Sequence, residues 1–172
     1  GRRVGAKHSD SHMMYAVELE TIADDVADMK RRAAELGREN EIKMGIRLHV
    51  LCRDTKEEAR RDADALIEGS DIANTGTWAD MKNNTESVGQ MRVNDLAGGK
   101  SLWITDTLWM GVNRVCSGAG ASLVGTPDMI AAALKEYVEA GVEAERFGRD
   151  IMPLLKDTDP TTLEEPASIL AS

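Results

Sequence analysis

Glu41-Ile42-Lys43-Met44-Gly45-Ile46-Arg47-Leu48-His49-Val50-Leu51-Cys52-Arg53-Asp54-Thr55-Lys56-Glu57-Glu58-Ala59 is the stretch that decides the fold. Its first part alternates. Ile42, Met44, Ile46, Leu48 and Val50 fall on one face of an extended chain, with Lys43, Gly45, Arg47 and His49 on the other. Its second part changes period. Thr55 and Glu58 have capping-box spacing, and Ala59, Ala63, Leu66 and Ile67 continue a helix to about Glu68. A strand running straight into an amphipathic helix is half of a β/α crossover unit.

The flanks repeat that order. Upstream, His12-Met13-Met14-Tyr15-Ala16-Val17 reads as a short strand. Leu19, Ile22, Val26, Met29, Ala33 and Leu36 then recur at steps of three and four on one helical face, and Gly37 follows as a left-handed cap. Downstream, residues 69 to about 120 are irregular and glycine-rich, with a short helix expected between Trp78 and Leu96. Ala121-Ser122-Leu123-Val124-Gly125 is a strand, and Thr126-Pro127-Asp128 opens a helix with Thr as N-cap and Pro in the first turn. Ile130, Leu134, Tyr137 and Val138 mark its buried stripe and Gly141 ends it. A further helix is expected over Ala144 to Leu155, carrying Phe147, Ile151 and Leu154. The residues from Lys156 on form a polar tail expected to be disordered. Strand, helix, strand, helix, insert, strand, helix is an α/β pattern with parallel crossovers. Working residues in such folds sit at the carboxyl ends of strands. Arg47 and His49 are so placed, on the face away from the outer helices.

The composition narrows the class. The 172 residues are 42% apolar and 30% charged, ordinary for a globular protein. Yet they fall short of the ~200 residues of a compact eight-stranded β/α barrel. No apolar run approaches the ~18 residues of a membrane helix, and the first residues lack the apolar core of a secretory signal. A net charge of −9, with bases interleaved among acids as in residues 56–62, excludes a nucleic-acid partner, which needs clustered cations. Two cysteines, Cys52 and Cys116, form no disulfide framework and fit a reducing cytoplasm. Cys52 reads as core packing and Cys116 as an ordinary small residue. Nine methionines against six aromatic residues imply a thioether-rich core. The absence of an initial Met fits a fragment or a processed chain.

Several segments resemble the C-terminal half of bacterial luciferase-like, reduced-flavin-dependent monooxygenases, closest to the alkanesulfonate and dimethyl sulfone monooxygenases. The carriers are Gly45-Ile46-Arg47-Leu48-His49-Val50, Arg53-Asp54-Thr55-x-Glu57-Glu58-Ala59 and Ser87-Val88-Gly89-Gln90. Leu108-Trp109-x-Gly111-Val112, Gly118-Ala119-Gly120-x-x-Leu123-Val124-Gly125 and residues 146–155 continue the match, which spans about residues 1–155. The resemblance implies a partial (β/α)8 barrel with a lid-like insertion at about 69–120. It implies FMN as cofactor, supplied reduced by a flavin reductase, with O2 as co-substrate and a small organosulfur-type compound as substrate. Carried over, Arg47 would hold an anionic group of the substrate or of the oxygenated flavin. His49 would move a proton or orient the oxygen intermediate, and Tyr15 would lie near the flavin. The matching enzymes carry Arg where this sequence has Cys116, which removes one anion clamp. After Val142 the sequence passes over their last strand. The chain is therefore expected to be a fragment, inactive alone, and either homo-oligomeric or dependent on an N-terminal half. The alternative is a non-catalytic α/β remnant that serves as an interaction module.

Two further motifs carry less. His8-Ser9-Asp10-Ser11-His12 has metal-like spacing, but such spacing is common by chance, and no metal site is expected. Gly118-Ala119-Gly120 precedes a strand instead of following one, so it fails as a dinucleotide loop and reads as flexible lid backbone.

Overall fold

The computed structural model describes residues 1–68, 85–99, 101–116 and 119–143. The expected helix over 144–155, the tail from 156 and the first part of the insertion lie outside the described residues. The compact unit is Gly1–Val142. Its elements are α1 (Arg2–His8), β1 (Ser11–Tyr15), α2 (Leu19–Ala34), β2 (Lys43–Arg47), β3 (His49–Cys52), α3 (Lys56–Glu68), α4 (Val88–Ala97), β4 (Leu108–Trp109), α5 (Gly111–Val115), β5 (Ser122–Gly125) and α6 (Pro127–Glu139).

The caps form where the sequence puts them. Around Thr55 the capping box closes both ways: the Glu58 N–H donates to Thr55 Oγ1 (3.2 Å) and the Thr55 N–H to Glu58 Oε2 (3.3 Å). Gly37 (φ 68°) and Gly141 (φ 97°) end α2 and α6 in the left-handed region. In each case the following residue bonds back five positions, Arg38 to Ala33 and Val142 to Tyr137, which satisfies carbonyls the helix leaves open. Ile22, Val26, Met29 and Ala33 are buried as their spacing predicts. Leu36 lies past the end of α2 and is half exposed.

The strand expected over 42–52 is two strands. β2 pairs in parallel with β1, from Ser11↔Lys43 to Tyr15↔Arg47. β3 pairs in parallel with β5, from His49↔Ser122 to Cys52↔Gly125. The break falls at Leu48, where the neighbour changes. Ala16, just past β1, donates to the Arg47 carbonyl (3.0 Å) and accepts from the Ala121 N–H (2.8 Å), so β5 takes over where β1 stops. β4 adds antiparallel to β5. The sheet is thus in two pieces, β1-β2 and β3-β5-β4.

Two clusters flank β5. Leu123 joins Met14, Met44, Ile22, Met29, Leu108, Ile130 and Tyr137 in the larger. Val124, on the opposite face, joins Trp109, Ala59 and Ala63 in the smaller, with Leu51 and Trp103 against it. A strand buried on both faces is the reason Ala121–Gly125 reads as an unbroken apolar run. This corrects three expectations. α3 packs on the Leu51 face, leaving Val50 54% exposed and Leu66 58% exposed. Cys52 is exposed instead of in the core. Val138 is 40% exposed, because Tyr137 turns inward in its place. Among the described residues no helix is long and apolar enough to cross a membrane.

Tyr137 ties α6 to the end of β1. Its hydroxyl donates to the Val17 carbonyl at 2.6 Å in the core. Burial, with Glu136 and Glu18 nearby, pushes the phenol up to about 12. The folded state therefore holds the proton more tightly than the unfolded chain, whose tyrosines titrate near ~10. Stability from this group is complete below pH ~10 and is lost as pH rises towards ~12. Denaturant titrations from pH 9 to 12 should show a steeper loss in the wild type than in Tyr137→Phe. The variant itself should cost about 1 kcal/mol at neutral pH. Equal slopes would refute the assignment.

Candidate active site

β1 and β2 bring Tyr15 and Arg47 together. They are register partners at the carboxyl ends of parallel strands, so their side chains share a face about 4.8 Å apart. Tyr15 is half-buried, and the N-terminal turn of α4 closes on it: a Cβ at Gly89 would lie 3.4 Å from the ring Cδ2. Ser87 caps that helix by accepting from the Gln90 N–H. The insertion therefore reaches the site through α4, inside the range where a short helix is expected.

Tyr15 lines a cleft of about 690 Å³ with Arg2, His12, Asp25, Gly89 and Arg92. Most of the charge in it is spent internally. Arg92 Nη1 donates to both Asp25 oxygens (2.9 and 3.1 Å), and Arg2 pairs with Asp25 and Asp28. Arg32 and Arg31 hold the Asp28 carboxyl far below the usual carboxylate range. Burial, reinforced by Arg2, holds the His12 imidazole below its usual value. Arg47 is different: it is exposed and has no carboxylate partner among the described residues.

His49 lies two residues beyond Arg47 but across the Leu48 break. It is half-buried, and its Nε2 is buried without a hydrogen-bond partner among the described residues. Its face is that of Leu51, over which α3 packs, and this corrects the expectation that it lies away from the outer helices. The register row of His49 continues through Ser122 to Trp109, whose Oγ and Nε1 are likewise buried and unpartnered. Sequence reading missed both residues, since a serine in an apolar strand and a lone tryptophan give no spacing signal. It also misread Gly120, which is buried against Ala16 and Arg47 backbone instead of forming lid backbone.

The remaining candidates separate. His8 ends α1 and His12 sits in β1, so the residue 8–12 stretch is not one strand. Cys116, at the end of α5, is exposed.

Tyr15 and Arg47 thus set an aromatic ring beside a guanidinium with no carboxylate partner among the described residues, at the carboxyl ends of β1 and β2, while His49 opens β3 on the face that α3 covers. Parallel β/α units carry these residues, as in part of a (β/α)8 barrel. The chain belongs to the luciferase-like monooxygenase family, whose profile matches residues 1–144. It is 34% identical over 145 residues to the sulfoquinovose monooxygenase of Novosphingobium aromaticivorans, covering 83% of this chain and 40% of that protein. Among solved structures it is similar to DmoA from Hyphomicrobium sulfonivorans (TM-score 0.59, 20% identity), covering 83% of this chain and 33% of that one. It is also similar to the long-chain alkane monooxygenase LadA (TM-score 0.55, 19% identity, 82% and 32%). Riboflavin lyase RcaE, determined with modified FMN and riboflavin, gives a TM-score of 0.58 at 16% identity over 90% of this chain and 40% of that one. The chain thus spans about two fifths or less of these relatives' length.

Proposed function

We propose that this chain supplies the Arg47–His49–Tyr15 part of a monooxygenase that uses reduced FMN and O2 to oxidise a small organosulfur-type substrate. The observation that carries the reading is Arg47, exposed, unpaired among the described residues and registered beside Tyr15. Bound reduced FMN would supply the electrons that activate O2. Arg47 would bind an anionic group of cofactor or substrate through charge-assisted hydrogen bonds. Tyr15 would offer its ring to the flavin plane. His49 would accept or return a proton at Nε2. α4, packed on Tyr15, would exclude water. A flavin reductase is the partner that would deliver the cofactor in the cytoplasm.

A second reading, a non-catalytic interaction module, draws on α3 packing over the His49 face. FMN titration separates the two. The chain is titrated alone, and again mixed with the complementary N-terminal part of the Novosphingobium relative plus an NAD(P)H-driven FMN reductase and a panel of sulfonates and sulfones. Flavin binding and O2-dependent product are expected in the mixture. Arg47→Ala should weaken flavin or substrate binding at least ~10-fold, the loss of one charged hydrogen bond of about 1.5–3 kcal/mol. No binding and no product in either case would leave the module reading.

A further inference from the structure

One side of α4 meets both β1 and α2. Gly89 and Arg92, three positions apart, are neighbours on that side. A Cβ at Gly89 would lie 3.4 Å from Cδ2 and 3.9 Å from Cε2 of the Tyr15 ring, so the helix backbone itself closes on the aromatic. One turn further along, Arg92 Nη1 donates to both oxygens of Asp25 on α2, at 2.9 and 3.1 Å. Tyr15, Gly89, Arg92 and Asp25 all line the same cleft.

Apolar packing holds the two ends of α4 unequally. Its buried residues, Val93 and Ala97, both lie in the second half. There the Ala97 carbonyl also accepts from Arg114 Nε (3.2 Å). In the first half Val88 and Met91 are exposed. Ser87 caps the first turn, which closes that turn on itself without attaching it to β1 or α2. The Arg92–Asp25 pair is therefore the polar attachment of this end among the described residues. The Asp25 side chain is only 14% exposed, so salt and water screen the pair less than a surface pair. Asp25 also takes Arg2 of α1. Removing Arg92 thus leaves the carboxylate a cation, and the rest of the fold keeps its support.

We propose that Arg92 is a positioning residue for Tyr15: by pairing with Asp25 it holds the first turn of α4 against the Tyr15 ring and so fixes that ring at the strand end it shares with Arg47. This rests on Tyr15 being the ring that meets the flavin in the proposed site. With its Nη1 engaged on Asp25, Arg92 acts on Tyr15 through the backbone of α4. Without the pair the turn is free to lift about the Val93–Ala97 contact, and the ring gains rotational freedom.

The test is the ring spectrum of the ¹³C-tyrosine-labelled chain. There are only two tyrosines, Tyr15 and Tyr137, and Tyr15→Phe assigns them. The wild type should show a nuclear Overhauser contact between the Gly89 Hα and the Tyr15 ring. Arg92→Ala should weaken that contact and move the Tyr15 signals towards those of a free tyrosine. It should also speed amide exchange at Gln90 and Met91 at least ~10-fold, the loss of one charged hydrogen bond. Tyr137 should stay unmoved. Arg92→Lys should restore most of the wild-type pattern, because a single nitrogen makes both bonds and a point cation can replace it. No contact in the wild type, Tyr15 signals unmoved by Arg92→Ala, or an equal change at Tyr137 overturns the proposal. Should Arg92→Ala fail to fold, the wild-type contact and Arg92→Gln decide in its place. No FMN binding in the two-part mixture, with Tyr15 moved as expected, would overturn the monooxygenase reading and leave the clamp intact. Flavin binding with Tyr15 unmoved would overturn only this proposal.

Discussion

Gly111→Ala should lower the melting temperature by roughly 10–20 °C, the largest effect expected from an added methyl group at a described glycine. A Cβ at Gly111 would overlap Cζ2, Cε2 and Cη2 of the Trp109 indole. That ring has no room to yield: it is 1% exposed, packed on Ala59, Ala63 and Val124, and in ring contact with Trp103 at 6.0 Å between centroids. Either α5 shifts or the indole leaves its pocket, and losing the packing of a buried Trp costs about 3–5 kcal/mol. Against a total stability of about 5–15 kcal/mol this brings the fold close to its limit. Thermal unfolding followed by Trp fluorescence measures both the shift and the exposure of the ring. A change under ~2 °C would mean that the indole does not sit where described.

Gly120→Ala is expected to cost nearly as much, by a different route. Its Cβ would stand 2.9 Å from the Arg47 carbonyl oxygen, 3.0 Å from the Ala16 nitrogen and 3.3 Å from the Ala16 oxygen. These are backbone atoms at the point where β1, β2 and β5 exchange partners, and none can rotate away. Overpacking of this kind costs about 1–3 kcal/mol, and the Ala16–Arg47 bond it spreads is worth about 1 more. Because that bond sets the backbone of Arg47, the proposed flavin binding should weaken along with stability. Gly45→Ala is the internal control. Its Cβ would press only on the Met13 sulfur and terminal methyl carbon, the far end of a flexible and 61% exposed side chain. Chemical denaturation of both variants should therefore differ by more than ~1 kcal/mol, and equal losses would refute the distinction between backbone and side-chain neighbours.

Much of the fold was legible because it rests on local physics. The three- and four-residue spacing in α2, the Thr55–Glu58 box, Thr126-Pro127 and the two left-handed glycines are decided within a few residues of themselves. The break at Leu48 was not legible. Alternation from Ile42 to Val50 is unbroken, and the break is dictated by Ala16 and Ala121, which are distant in sequence. For the same reason the pattern assigned Val50 to the interior and His49 to the face away from the outer helices. Whether a helix covers one face of a strand or the other is a tertiary choice that period-2 spacing leaves open. Arg47 and Tyr15 were found through family likeness, and their registry as neighbours is a structural fact. Ser122 and Trp109 give no sequence signal, since an unsatisfied atom shows only once its surroundings are known.

The exchange at Ala16 also bears on how the chain reaches its folded form. One residue there, Ala16, holds residue 47 through its N–H and residue 121 through its carbonyl. Closing the first contact ties off a loop of about 30 residues and the second a loop of about 100, each with an entropy cost that precedes its reward. The β1–α2–β2 unit can assemble early from nearby contacts, whereas β3 has no partner until β5 arrives after the whole insertion. Topology of this kind slows folding and leaves strand edges open in the interval. Docking of residues 119–125 onto β3 is then the expected slow step of folding.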